Sequence, residues 1–221
     1  GISRQSYPSS QMGSIALLRQ TFYDAAWYRE NDTERNLSLE SLNTQMNGQL
    51  LFSTNDKYEI LRAQKVASEF DLSFNFIGSG NEYEIIHQLK DISSTVILPI
   101  NFPKPYDVEN PYVSRQIPLS DLKHWEMAPM NPMILQQQGI DICLSSIGQK
   151  TAKDFWSNLR SAIQHGLSIE DALNALTVQP AKTAGVSETV GTLDVGKLAS
   201  FIIYDKNPLK ESASVLESWI L

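Results

Sequence analysis

F-N-F-I-G-S-G-N-E-Y-E, residues 74–84, is the stretch on which the fold turns. Phe74, Phe76 and Ile77 form a short apolar run, Gly78-Ser79-Gly80 interrupts it, and a helical pattern begins at Asn81. An apolar run of this length that passes through glycines into a helix reads as one βα unit. In α/β enzymes the end of such a strand is where working side chains stand. Here that mouth carries two glycines, a serine and an asparagine, and His87 lies well into the following helix.

The same alternation extends both ways. Upstream, residues 49–53 read as a strand and 57–70 as a helix with Ile60, Ala63, Ala67 and Phe70 on one face. Before them, residues 14–28 show Leu18, Phe22 and Ala25 at helical spacing, and 31–47 read as a polar connection with some helix. Downstream, a strand is expected at 95–100, with Pro99 near its end where a missing N–H is tolerated. Residues 101–126, rich in Pro and Tyr, read as a long irregular passage. A helix at 127–138 and a strand at 140–144 follow. The helix at 151–165 has Phe155, Leu159, Ala162 and Ile163 as its inner face and Gly166 just beyond its end. Ser168 is the expected N-cap of the next helix, and a short last one runs from near Pro180 to Gly185. The tail changes character, with a turn at Gly196-Lys197, a strand at 200–204 and a stop at Asn207-Pro208.

Strand and helix thus alternate about four times, which implies parallel strands joined by right-handed crossovers. A closed (β/α)8 barrel takes about 250 residues and eight strands. The pattern therefore fits either an open doubly wound sheet or one half of a barrel. Composition narrows the function instead. The 221 residues are 42% hydrophobic and 19% charged with a net charge of −7, ordinary for a globular chain able to bury a core. No Lys/Arg cluster marks a nucleic-acid surface. No apolar run is long enough for a membrane span. The single Cys143, inside D-I-C-L, excludes an internal disulfide and a cysteine zinc site, and reads as packing. The chain opens on Gly1-Ile2-Ser3-Arg4 without an initiator Met or legible signal peptide. Further sequence is expected upstream, and a soluble protein in either the cytoplasm or an exported, periplasmic location.

Two longer motifs carry a resemblance. A-L-N-A-L-T-V-Q-P-A-K-T-A-G (172–185) is followed by V-G-T-L-D-V-G-K-L-A-S-F-I-I-Y-D (190–205). In order and separation they resemble the end of the amidohydrolase superfamily, most closely its imidazolonepropionase-related members, with Ser200 where the family usually has Asp or Asn. Y-P-S-S-Q-M-G-S-I-A-L-L-R-Q (7–20) and K-D-F-W-S-N-L-R-S-A-I-Q-H-G-L-S (153–168) are similar to that family too. The resemblance implies an α/β fold: a partial TIM-like (β/α) barrel over residues 1–186 and, over 187–221, a C-terminal β-segment of the amidohydrolase sandwich domain. It also implies that the remaining barrel and sandwich strands belong upstream.

Relatives hydrolyse non-peptide C–N bonds with zinc or another divalent metal, which acidifies a bound water and polarises the carbonyl. The resemblance places ligands on the fifth, sixth and eighth barrel strands: two histidines and an aspartate. Anchored on I-L-R-A-Q-K-V-A-S-E-F (60–70), the fifth-strand position falls on Ser53 or Asn55, the sixth on Gly78 and the eighth on Ile147. None is a His or a carboxylate, so the expectation is no cofactor and no catalysis by this chain. The alternative is an active metal-dependent hydrolase completed by an upstream segment or a second chain.

Asp56 and Glu82 follow strand mouths and read as first-turn helix charges. His87 reads as mid-helix, His124 as a loop residue and His165 as a helix-end residue. Gly78-Ser79-Gly80 followed by Tyr83 fails the dinucleotide fingerprint, and Ser145-Ser146 has no nucleophile elbow around it. Trp27, Trp125, Trp156 and Trp219 read as core or interface anchors. Asn55, Ser79, Asn81, Asn101 and Ser145 remain as the candidate ligand-binding residues. Unpaired strand edges in a half-barrel predict association, as a homodimer or with the missing N-terminal half.

Overall fold

The computed structural model describes residues 7–31, 34–90 and 92–220, so the opening residues 1–4 lie outside it. Four parallel strands, β1 (Leu50–Ser53), β2 (Phe74–Ile77), β3 (Val96–Pro99) and β4 (Ile142–Ser145), form one sheet in the order β1-β2-β3-β4. This order decides between the two architectures left open by the pattern. Every crossover steps to the next neighbour in the same direction. With right-handed connections, that lays all crossover helices on one face of the sheet, as in a barrel, whereas a doubly wound sheet reverses direction and covers both faces. The fold is α/β, a partial TIM-like barrel.

Strand register identifies the two faces. Phe52, Phe76, Val96 and Ile142 align in one row, with Leu50 beside Phe74 and Leu98 beside Leu144. Successive residues point to opposite faces, so this set shares the helix side. It packs into the main core. Helix α3 (Lys57–Glu69) contributes Ile60, Ala63, Val66 and Ala67, α7 (Asn131–Gln137) Leu135, and α8 (Ala152–Gln164) Leu159 and Ala162. Helix α9 (Ile169–Leu176) adds Ala172 and Ala175. The opposite row, Ser53, Ile77, Ile97 and Cys143, with Leu51 beside Asn75, forms the inner face. Only Cys143 is buried there, in contact with Thr183 of α10 (Val178–Thr183), while Leu51 is 58% exposed.

The helix ends follow side-chain chemistry. Asn36 caps α2 (Leu37–Met46), and Asp56 caps α3 by accepting from the N–H groups of Tyr58 and Glu59. Thr151 and Asp154 form a reciprocal capping box on α8, and Ser168 caps α9. Helix α1 (Gln11–Glu30) buries Phe22 and Ala25.

Several expectations need correction. The segment 101–126 holds two helices, α5 (Pro111–Ser114) and α6 (Leu119–Met127). Neither buries a residue, so no apolar stripe betrayed them; the cues were local, Asn110 as cap with Pro111 at the first helical position. The expected helix at 81–90 is a 3-10 turn, Glu82–Ile85, running into the single turn α4 (Ile86–Leu89). The helix at 127–138 likewise begins as a 3-10 turn, Ala128–Met130. Of the tryptophans, Trp156 packs on the core while Trp27, Trp125 and Trp219 are exposed.

After α10 the chain makes a separate two-stranded antiparallel sheet from β5 (Phe201–Tyr204) and β6 (Val215–Trp219). β6 was not expected. Val-Leu-Glu-Ser-Trp lacks alternation, and all five residues are exposed. The tail is tied to α10 at Gly191, whose φ is +101° and whose missing Cβ would sit 2.8 Å from Ala181 Cβ. Gly191→Ala should therefore lose about 2 kcal/mol of unfolding free energy in urea titrations, from backbone strain and this collision together.

Candidate functional site

The strand ends gather on one rim, and the mouth of β2 is the most built part of it. Glu82 is fully buried there. Its carboxylate accepts from the backbone N–H of Ser79 at 2.5 Å and of Gly80 at 3.1 Å, and from Asn131 Nδ2 at 2.7 Å. Asn131, itself 2% exposed, accepts in turn from the N–H of Tyr83 at 2.8 Å. A buried carboxylate is tolerable only when its lone pairs are met in this way. Glu82 is thus not a first-turn surface charge; it folds back under the Ser79-Gly80 turn and bolts it to α7.

This explains Gly78 and corrects its placement. A Cβ at Gly78 would lie 2.6 Å from Glu82 Oε1 and 3.3 Å from Val96 Cγ1, on the helix side of the sheet. A side chain at Gly78 cannot reach the inner rim. The neighbouring inner-facing positions are Ile77 and Ser79, by the alternation along β2.

Above the rim is a cavity of about 210 Å³. Its polar wall has Ser79, Asn101 and His124; Pro99, Phe102, Ala128 and Ile147 supply the apolar part. Of the five candidate residues, Ser79 and Asn101 meet here. Asn81 sits just behind, accepting from Ser79 Oγ at 2.6 Å. Asn55 is apart, at the mouth of β1, where its N–H and side-chain amide both donate to Glu59. Ser145 lines a wider, open depression of about 580 Å³ with Ser146, Lys150 and Phe155, and accepts from the N–H of Ile147.

Sequence reading missed His124 as a site residue, because its helix carries no periodic signal. His124 sits on α6, and its ring stacks on Tyr83 with centroids 6.2 Å apart and planes 10° from parallel. The Tyr83 hydroxyl lies 3.2 Å from His124 Nδ1. Burial, reinforced by the charges of Glu84 and Glu82, pushes the Tyr83 phenol up to about 12. The other histidines stand away from the rim: His87 is exposed on α4, and His165 is exposed at the end of α8, with Nδ1 2.7 Å from Ser161 O. Burial also raises the Cys143 thiol, as expected of a packing cysteine.

A divalent metal of the zinc type needs imidazole, thiolate or carboxylate donors converging on one point. The ligand positions inferred from the sequence offer a hydroxyl (Ser53), an amide (Asn55), no side chain (Gly78) and a hydrocarbon (Ile147). Asp56 accepts from the N–H groups of Tyr58 and Glu59 and pairs with Arg62, Glu82 is taken up by Ser79, Gly80 and Asn131, and among the described residues no three His, Cys, Asp or Glu side chains cluster as a metal site. The residues present do not fit the metal.

Known proteins resemble parts of this chain. Residues 113–219 match the amidohydrolase family. Within that match lies the C-terminal pair of motifs on which the resemblance rests. A 42-residue stretch, 19% of the chain, is 55% identical to N-acetylglucosamine-6-phosphate deacetylase of Caenorhabditis elegans and covers 10% of it. An amidohydrolase from Thermotoga maritima MSB8 superposes with a TM-score of 0.78 at 21% identity over 98% of this chain and 56% of that one. A prolidase complexed with N-methylphosphonate-L-proline superposes with a TM-score of 0.53 at 14% identity over 79% of this chain and 42% of that one. At such identities the structural likeness establishes the fold alone. The chain spans about half the length of the Thermotoga amidohydrolase and a tenth of the curated relative. Among the described residues no helix is long and apolar enough to cross a membrane.

Proposed function

We propose that this chain is the C-terminal portion of an amidohydrolase-type barrel, of the imidazolonepropionase-related kind, in which the strand mouths bind a small ligand without a catalytic metal. The observation that carries this reading is the mouth of β2. Its carboxylate is consumed by Ser79 N–H, Gly80 N–H and Asn131 Nδ2, and the other inferred ligand positions, Ser53, Asn55 and Ile147, have no imidazole or carboxylate to offer. The family's chemistry is hydrolysis of C–N bonds; this chain's own residues are suited to hold a molecule rather than to activate water. Ser79, Asn101 and His124 then serve as the binding wall, with Asn81 orienting Ser79.

Metal analysis of the purified, tag-free protein by plasma mass spectrometry tests this directly. Zinc, iron, nickel and manganese are expected far below stoichiometric amounts after dialysis against the free ions. A stoichiometric metal that survives dialysis would overturn the reading.

A second reading has its own support, an active hydrolase completed by another segment or chain. The inner face of the sheet is open at Leu51, and the Thermotoga amidohydrolase has a further 44% of its length unmatched by this chain, the remainder of the 56% that is. Under that reading, metal and turnover on cyclic amides emerge only when the completing polypeptide is added.

A further inference from the structure

Resting on the ligand-binding reading of the cavity, the geometry points to His124, oriented by Tyr83, as the recognition group for a small neutral ligand that offers a hydrogen-bond acceptor to His124 and a donor to Ser79. Three observations carry the assignment. The first is the tautomer of His124. Tyr83 Oη has no other hydrogen-bond partner among the described residues, and its phenol stays protonated through the physiological range. With no other acceptor for it among the described residues, the hydroxyl proton finds its partner within the protein by donation to Nδ1, and the assignment rests on that tautomer. A neutral imidazole that accepts at Nδ1 carries its proton on Nε2, so the remaining ring nitrogen of this cavity-lining residue is a donor. The stacked Tyr83 ring holds that orientation.

The second is the polarity of Ser79. Its one hydroxyl proton is taken up by Asn81 Oδ1 at 2.6 Å or shared with Glu82 Oε1 at 3.2 Å, so toward a ligand Ser79 Oγ can only accept. Donor and acceptor thus border the same space of about 210 Å³. Asn101, exposed at the rim, can serve either role. Pro99, Phe102 and Ala128 give the ligand an apolar flank.

The third is charge. The Glu82 carboxylate lies directly beneath the Ser79 turn, 3.2 Å from Ser79 Oγ. An anion entering the cavity would meet that negative charge at short range and find no lysine or arginine in the wall to offset it. A cation would meet the Nε2–H of His124 while Glu82 is already satisfied by other donors. A neutral molecule with donor and acceptor side by side fits both constraints.

The test uses pyrrolidin-2-one as the neutral probe and acetate as the anionic one, titrated into the isotopically labelled chain. The readouts are the amide signals of Gly80 and Gly148 and the ring nitrogens of His124. Pyrrolidin-2-one is expected to give saturable shifts at both glycines, and acetate none. His124→Phe should weaken the neutral probe about five- to tenfold, the loss of one hydrogen bond, whereas His124→Gln, which keeps a donor near the same place, should retain most of the affinity. In Tyr83→Phe the His124 nitrogen shifts should move from a single tautomer toward a mixture, a change that a purely structural role would not produce. Equal binding of acetate, no saturable shift from pyrrolidin-2-one, or unchanged affinity in His124→Phe would each overturn the assignment. Metal analysis of the same sample separates the two ideas. Stoichiometric metal with His124-dependent binding removes the metal-free reading and keeps this one; no metal and no binding does the reverse.

Discussion

Glu82→Ala is expected to remove about 3–5 kcal/mol of unfolding free energy, enough to endanger a domain whose total stability is about 5–15 kcal/mol. The carboxylate is fully buried and is the acceptor for Ser79 N–H, Gly80 N–H and Asn131 Nδ2. Deleting it leaves the buried Asn131 amide and the two half-buried N–H groups of the turn without their acceptor, and each unsatisfied buried group costs about 1–3 kcal/mol. The Ser79-Gly80 turn would also lose its attachment to α7, so the cavity wall should loosen with the fold. Glu82→Gln is expected to cost less, about 2 kcal/mol, because one oxygen still accepts while the new NH₂ must face a donor. Urea denaturation of the three proteins checks the order. A cost under about 1 kcal/mol for the alanine variant would mean that the turn opens to water instead. The same packing predicts that Gly78→His creates no metal site. The new side chain would drive against Glu82 Oε1 and Val96 on the helix side, and should lower stability while leaving zinc affinity unchanged.

What could be read in the chain, and what could not, divides along physical lines. α3 and α8 were legible because apolar residues recur on one face, and α9 because Ser168 caps its start, whereas Asp56 proved to be a cap rather than a first-turn charge. The strands were legible as short apolar runs between turns. Their order was not; only the pairing β1-β2-β3-β4 distinguishes a barrel segment from a doubly wound sheet. α6 and β6 were invisible for a shared reason. Neither buries a face, so neither imposes a period on its sequence. The candidate site was half legible. Ser79 and Asn101 follow strands, where position alone suggests a role. His124 enters through contact with Tyr83, forty-one residues earlier, and nothing local to either residue announces the pair. Glu82 was visible as a carboxylate after a strand mouth, but its direction was not. That direction depends on Asn131, forty-nine residues later, donating from another helix.

Phe76→Ala is the second large effect, expected at about 3–5 kcal/mol in the same denaturation experiment. Phe76 is fully buried on β2, one of the two internal strands, and lies between Phe52 and Val96 in the register. Its ring meets Phe52 and Phe74 edge-on, at centroid distances of 6.5 and 6.4 Å. Its register partners Phe52 and Val96 are held in the sheet, so much of the cavity should persist. The informative control is Leu51→Ala, on the neighbouring strand but on the inner face. Leu51 is 58% exposed, so in the isolated chain its removal should cost under about 0.5 kcal/mol. The contrast between the two variants measures how one-sided the sheet is in solution. If a second copy covers the inner face, as the association expected of a half-barrel would allow, the Leu51 cost should grow with protein concentration while the Phe76 cost does not. A Leu51 cost that stays small from dilute to concentrated solution would mean that no second copy covers the inner face at Leu51.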